Sequence, residues 1–422
     1  MKNIASIPLH QKKQLLPTEN WIKTAFIITC LFLIAYPFRI FSQNIPIQTY
    51  DYVIEKNSDQ IIACPRGGTT LEKYTGKDAF TVIQAAIAAM STKAGGSLFI
   101  GPGEYFLNDE LIINGWDTDL PPNKQIVIAG NGLSTRIIQT TALKNALIIK
   151  NKASVVIKDL YIYTGPESKS GLLLDDSGAS EVSVWGGTFD NVYIQSNSHT
   201  SPAFYGKNFF DLNVHHLTAL NNNNHGIMIE NTSTTINYGN SNFGFVRAVG
   251  SKKHPYAGLY LKSTNSKGLK FPNLITFQNY ECSIAYRGIW LSGAKQNTFS
   301  FVDLEGLPQP LYLDGSPTSG ESRWNKFLSG YLLPSSGGTA ITNTAFTGGN
   351  DFNVYIEDDN ATIPIIDKQS FKPSNSYNLT MSGIAIKNII ITSKATTPLF
   401  IRKNNGETMN RPGYATGRND QH

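Results

Sequence analysis

The chain has 422 residues, 41% of them apolar and 16% charged, with 36 glycines, a composition that excludes a disordered or fibrous protein and suffices to bury a core. Its formal charge of +5 is concentrated at the start, where Lys2, Lys12, Lys13, Lys23 and Arg39 are offset before residue 44 by Glu19 alone. The rest is close to neutral, so nothing in the overall charge points to nucleic acid, which needs a basic face.

In chain order, residues 1–23 are polar and basic, and Ala25 to Tyr36 form a run of 12 apolar residues ended by Pro37. A membrane-spanning helix needs about 20, so residues 1–43 read as an export signal, with an uncleaved anchor as the alternative. The folded part is then expected to be secreted or held in the cell envelope, with no other membrane association. Of the three cysteines, Cys30 lies in this run, and Cys64 and Cys282 are too far apart for a disulfide framework or a metal-cluster spacing. They are expected as isolated, buried thiols. Residues 44–77 read as a lead-in with one short strand at Gln60 to Ala63. From Asp78 to Met90 apolar residues fall at 79, 80, 82, 83, 86, 87 and 90, the spacing of an amphipathic helix. Gly95 to Tyr105 then gives a strand, a Pro-Gly turn and a second strand start.

The order Asp78, Ile83-Gln84, Ala86-Ile87, Gly95-Gly96, Leu98 to Ile100, Pro102-Gly103 and Tyr105 resembles the opening of the pectate-lyase-like (pectin lyase fold) superfamily. The resemblance spans about 28 residues. It implies an all-β, single-stranded right-handed parallel β-helix whose first coil is covered by an N-terminal α-helix, in a carbohydrate-active protein. Lyases, glycoside hydrolases and phage tailspikes share that opening, so it specifies fold and leaves activity open. A cap also has a physical reason: the end of a stacked core is otherwise open.

From Ile126 to Ile391 short apolar runs alternate with Gly, Asn, Ser and Asp corners, and no second helical pattern of useful length appears, which predicts β coils over 78–395. Residues 403–422 contain hardly any apolar residue and read as a disordered tail. One pattern recurs within the coils: Ser170-Gly-Leu-Leu-Leu-Asp175, His225-Gly-Ile-Met-Ile-Glu230, Ala257-Gly-Leu-Tyr-Leu-Lys262, Arg287-Gly-Ile-Trp-Leu-Ser292 and Gln309-Pro-Leu-Tyr-Leu-Asp314. The long interval between Gly171 and Gly226 should hide another coil, which Ala203-Phe-Tyr-Gly-Lys207 fits. Period-two alternation sends Ile227 and Ile229 to one face and Met228 and Glu230 to the other.

If the repeats stack, matching positions lie about 4.8 Å apart. The outward columns are then Leu173, Tyr205, Met228, Tyr260, Trp290 and Tyr312, and Asp175, Lys207, Glu230, Lys262, Ser292 and Asp314. A row of exposed aromatics offers platforms for sugar rings, and flanking charges orient hydroxyls and carboxylates. The plainer alternatives are aromatics covered by loops and a solvated ion-pair ladder. His199, His215, His216, His225 and His254 cluster in the sequence with Arg247, Lys252 and Lys253.

This inventory suits β-elimination on a uronate-containing polysaccharide, in which a cation neutralises the carboxylate, a base removes the adjacent proton and an acid assists the leaving oxygen. Arg287 or His225 is the candidate cation, Lys262 or His225 the base, and Tyr260 the acid, with Glu230 beside them. Tyr205, Lys207, Met228, Trp290, Tyr312, Arg247 and His254 are the candidate substrate contacts. Hydrolysis is the rival scheme and needs two carboxyls about 5 to 9 Å apart. Asp175 and Glu230 are about 10 Å apart by coil spacing, and Asp303 and Glu305 lie on another strand of their coil. The polygalacturonase-like hydrolases of the superfamily carry a paired-aspartate motif and a His-Gly; His225-Gly226 matches the second, and Asp175-Asp176 lacks the context of the first. A non-catalytic glycan-binding adhesin is the third reading. Calcium, used by many lyases of the superfamily, is a candidate ligand at Asp175-Asp176 or at residues 357–360, though neither has a calcium-loop spacing. No metal ligand is assigned, and a monomer is expected.

Overall fold

The computed structural model describes residues 50–414, apart from 67–73, 93–94, 116–124, 152, 178–180, 265–269, 318, 358–362, 371, 383–388, 393–396, 404–405 and 407. The expected signal at 1–43, the end of the tail at 415–422 and most of the acidic run at 357–360 lie outside the described residues.

The fold is the right-handed parallel β-helix expected from the sequence. Eleven strands, from Leu111–Asn114 to Ile390–Ile391, stack in parallel to form one wall. The other strands form a 19-stranded sheet, which supplies the remaining walls, and a two-stranded pair, Ser322–Arg323 with Thr347–Gly348. A long strand such as Gly239–Val249 carries both in one run: Ser241 to Phe243 pair with Ile275 to Phe277, and Phe245 to Arg247 pair with Asn279 to Glu281.

The repeat glycines are explained by close approach. A Cβ on Gly226 would lie 2.6 Å from the Val249 carbonyl oxygen, and one on Gly258 would lie 2.5 Å from Cys282 Sγ. Only a residue without a side chain lets the strand enter the wall there. The Phe204–Lys207 strand sits between Leu172–Asp175 and Ile227–Asn231, where the long interval had predicted a hidden coil.

Inside the stack, like lies on like. Phe243, Phe277, Phe299, Phe327, Phe352 and Tyr377 form a continuous ring stack with successive centroids 4.8, 5.0, 4.7, 5.1 and 5.1 Å apart. Beside it runs a buried asparagine ladder. The backbone N–H and Nδ2 of Asn297 both donate to Asn325 Oδ1, at 3.1 and 3.0 Å. Asn325 repeats the pair on Asn350, and Asn350 on Asn375. Each corner thereby satisfies polar groups that no water reaches.

The helix spans Ala79–Thr92 and is referred to as α1. Asp78 caps it by accepting from the N–H groups of Phe80 and Thr81, each at 3.2 Å. Ala79, Val82, Ile83, Ala86, Ile87 and Met90 are buried against the first coils. Gln84 does what a missing strand would do: its Oε1 accepts from the Ile112 N–H at 2.7 Å and its Nε2 donates to the Ile112 carbonyl at 3.0 Å. Edge backbone groups are thus paired.

The sheet extends beyond the predicted span at both ends. Tyr52–Asn57 and Gln60–Pro65 form an antiparallel hairpin, and Tyr52 to Ile54 add in parallel to Leu98 to Ile100, so part of the lead-in belongs to the stack. Thr397–Lys403 joins the last coil and Thr408–Tyr414 pairs antiparallel with it, where a tail was expected from 403. Cys282 is buried and Cys64 half-buried, both as free thiols.

Replacing Asn325 with Ala removes the acceptor of two buried donors on Asn297 and the side-chain donor to the Ala294 carbonyl, while the backbone bond to Asn350 is kept. At roughly 1–3 kcal/mol for each unsatisfied group, we expect a loss of about 2–4 kcal/mol, read as a lowered denaturation midpoint with the slope unchanged.

Candidate active site

The eleven-stranded wall carries the predicted columns in the predicted register. Tyr205 pairs with Met228, Met228 with Tyr260, Tyr260 with Trp290, and Trp290 with Tyr312. Lys207, Glu230, Lys262, Ser292 and Asp314 are likewise successive partners.

Their side chains are not flat platforms. Tyr260 is buried and stacks on Trp290 at 3.9 Å and 13°. The Arg287 guanidinium carbon lies 4.2 Å from the Trp290 ring centroid and 3.7 Å from that of Tyr312. Tyr260 and Trp290 therefore face one another, Tyr312 stands edge-on to Trp290 at 6.1 Å and 82°, and the cation lies against both Trp290 and Tyr312, which are only half-buried. Tyr205 is bound by its hydroxyl, which donates to Glu230 Oε2, and Lys207 Nζ lies 5.1 Å from its ring. Met228 is half-buried between the two tyrosines.

Arg287 is 5% exposed and incompletely satisfied. Its Nε donates to Gln309 Oε1 at 2.9 Å, while its buried Nη1 has no hydrogen-bond partner. Its contacts are thus the Trp290 and Tyr312 rings and Gln309, and Nη1 is left without a partner. Burial lowers its pKa, partly offset by Tyr312 and Asp314. A buried cation without a carboxylate bonded to it is costly unless a ligand supplies one.

Asp314, which sequence reasoning placed in a column but did not nominate, lies next to this cation's stack. Trp290 Nε1 donates to its Oδ1 at 3.0 Å. Burial raises its carboxyl above the ordinary range, and the bonds from Trp290 and Ser292 and the Arg287 charge work against that rise. Burial and Asp314 push up the pKa of the Tyr260 phenol, and Ser292 works against that rise. Ser292 thus lies near both groups. Lys262, Ser263, Thr264, Ser292, Asp314, Ser316 and Ser319 line a cavity of about 330 Å³, ample for one sugar ring. The register column was the signal that could have found both Ser292 and Asp314.

His225 takes a different place from the one expected of a base or a cation. Its Nδ1 accepts from the Ala257 N–H at 3.0 Å, so the ring proton resides on Nε2. Burial, then Arg287 and Lys262, push its pKa down to about 3. It is a neutral donor packed among Tyr256, Tyr260 and Trp290. Glu230 is buried and lies with Oε1 3.7 Å from Lys262 Nζ.

Other candidates are dispersed. Arg247 lies on the 19-stranded sheet, 3.5 Å from Glu281. His254 is exposed, with its ring edge-on to Tyr286. His215 lies 3.7 Å from Asp190, and His216 packs on Phe245, both outside the eleven-stranded wall. Clustering in sequence did not become clustering in space, because the Phe210–Asn221 and Gly239–Val249 strands carry His215, His216 and Arg247 onto another wall. Asp176 is engaged by Asn208, Thr232 and Lys207. Among the described residues no three His, Cys, Asp or Glu side chains converge as a metal site.

No family model and no curated protein matches the chain. Among solved structures it is similar to ORF18 of Geobacillus virus E2, at 13% identity and a TM-score of 0.43 over 78% of this chain. The chain spans 58% of that protein's length. It is also similar to the A-modules of two Azotobacter vinelandii mannuronan C-5 epimerases. For AlgE6 the values are 16% identity, a TM-score of 0.45, 78% of this chain and 96% of the other. For AlgE4 they are 14%, 0.41, 81% and 96%.

Trp290→Phe keeps the stack and removes the donor to Asp314. Because that bond lowers the Asp314 pKa, the variant's carboxyl should titrate at higher pH still, as followed by carbon-13 NMR of labelled aspartate. A titration unchanged from the native protein would show that the bond does not form in solution.

Proposed function

We propose that this protein acts on an acidic, uronate-containing polysaccharide and cleaves it by β-elimination. The observation that carries the reading is the buried Arg287, with its unpartnered Nη1, stacked against the indole that bonds Asp314. A uronate carboxylate is the anion that suits the cation, and the neighbouring cavity beside Asp314 has room for a sugar ring.

Arg287 neutralises the substrate carboxylate and so makes the C5 proton acidic. Asp314, as carboxylate, takes that proton, a role that its raised pKa favours over an ordinary aspartate. Electrons from the C5–H bond form the C4–C5 double bond, and the C4–O bond breaks. The Tyr260 phenol supplies the proton to the departing O4. Proton transfer from Asp314 to Tyr260 through Ser292 restores the starting state. His225, neutral and with its proton on Nε2, donates a hydrogen bond and does not act as base. Lys262 and the hydroxyls of Thr264, Ser292 and Ser319 orient the ring.

Base and acid come from one sheet face, so elimination is syn. Syn elimination requires H5 and O4 on the same side of the ring, which is the glucuronate and mannuronate configuration and not that of galacturonate.

The test is incubation of the purified protein with polyglucuronate, polymannuronate and polygalacturonate, following ultraviolet absorbance of the unsaturated product. Absorbance should rise with the first two. New reducing ends without it would make the protein a hydrolase, altered uronate configuration without cleavage would mean proton abstraction without elimination, and retention alone would mean a binder. Asp314→Asn should lower kcat/KM by about 100-fold or more. In the native enzyme kcat/KM should fall as pH falls through the Asp314 pKa. That limb should lie above the ordinary aspartate value of about 3.9, because the base works only when ionised.

A further inference from the structure

The 19-stranded sheet carries an outward column of its own. In register, coil after coil, it reads Arg136, Tyr161, Tyr193, Thr218, Arg247, Glu281, Asp303, Tyr331 and Tyr355. None of these side chains belongs to the core. At about 4.8 Å per coil the stretch from Tyr161 to Tyr355 is ~34 Å long.

Beyond Arg136, which lies 5.4 Å from the Tyr161 ring centroid, it is flanked by two tyrosine pairs. Tyr161 and Tyr193 stack at 5.2 Å and 15°, and Tyr331 and Tyr355 at 5.7 Å and 11°. Such pairs hold a rigid apolar edge at the surface at little entropic cost, with hydroxyls at the rim. Between them lies a polar middle: Arg247 and Glu281 3.5 Å apart, then Asp303. One oxygen of Asp303, Oδ1, is buried and accepts no hydrogen bond. Burial and Glu281 raise the Asp303 carboxyl, and Glu305 and Glu357 flank it.

The charge balance selects the occupant. Arg136 and Arg247 face Glu104, Glu281, Asp303, Glu305 and Glu357, so the strip is net acidic and a polyanion is repelled, while a chain of neutral hydroxyl donors can bond its carboxylates. We propose that this strip is a second glycan site, which binds an extended uncharged polysaccharide along the coil axis. A sugar residue is about as long as one coil is thick, so successive hydroxyls meet successive column members. The binding uses no residue of the Arg287 and Asp314 site and does not depend on what that site does.

Affinity electrophoresis tests it. The full chain is run through gels containing soluble uncharged polysaccharides (mixed-linkage glucan, xylan, galactomannan) and, separately, polyuronates, beside the double variant Tyr193→Ala, Tyr331→Ala and the single variants Asp303→Asn and Arg247→Ala. The native protein should be retarded by an uncharged polymer, and the double variant should need at least tenfold more polymer for equal retardation. A melting midpoint like the native one shows that the fold is kept; if the double variant melts early, the two single variants, which remove no packed ring, decide. No retardation in any uncharged polymer would overturn the proposal, as would equal retardation of native protein and folded variants.

Discussion

Everything in this molecule depends on coils lying in register on one another. A parallel strand bonds to the strands above and below it, so a one-residue slip would invert inside and outside along a whole coil. Two internal ladders resist that slip. The phenylalanine stack requires an aromatic ring at the same position in successive coils, and the asparagine ladder requires a backbone N–H and a side-chain amide to meet one acceptor. The α1 cap, with Gln84 bonded to Ile112, applies the same rule at the open end.

Because the register is fixed, the outer surface becomes a set of columns, and columns can hold groups that would otherwise disperse. On the eleven-stranded wall Tyr260 and Trp290 stack, and the Arg287 cation lies against both Trp290 and Tyr312. The stack excludes water, which weakens Arg287 as a solvated ion and strengthens it as an electrostatic partner. The same burial keeps His225 neutral and raises Asp314, so neighbouring groups are driven to different protonation states by one environment. On the other sheet the column is wetter, and its charges are arranged for hydroxyls rather than for an anion.

The fold was legible because its signals are local and repeated. Alternation between polar and apolar residues gave the strands, the recurring glycines gave the coils, and the alanine-rich run after Asp78 gave the cap. Even the hidden coil at Ala203 to Lys207 could be inferred from an interval too long for one turn. The ends were less legible: the Tyr52–Asn57 strand and the Thr408–Tyr414 strand pair at the edges of the stack, and edge strands carry little of the buried alternation that marks a central one.

For the site, the sequence by itself determined which residues share a column, since period-two alternation and coil stacking leave no freedom in that. Tyr205, Met228, Tyr260, Trp290 and Tyr312, and Glu230, Lys262, Ser292 and Asp314, were fixed in this way. Only the tertiary structure decided what those residues can do. Whether rings lie flat or face one another is set by side-chain rotamers and by the cation between them, and whether His225 is charged is set by burial and by one backbone N–H from the next coil. Whether Arg247 joins the groove depends on how many residues each corner takes, a length that alternation does not encode. Alternation acts between adjacent residues, whereas protonation and access are properties of everything packed around them.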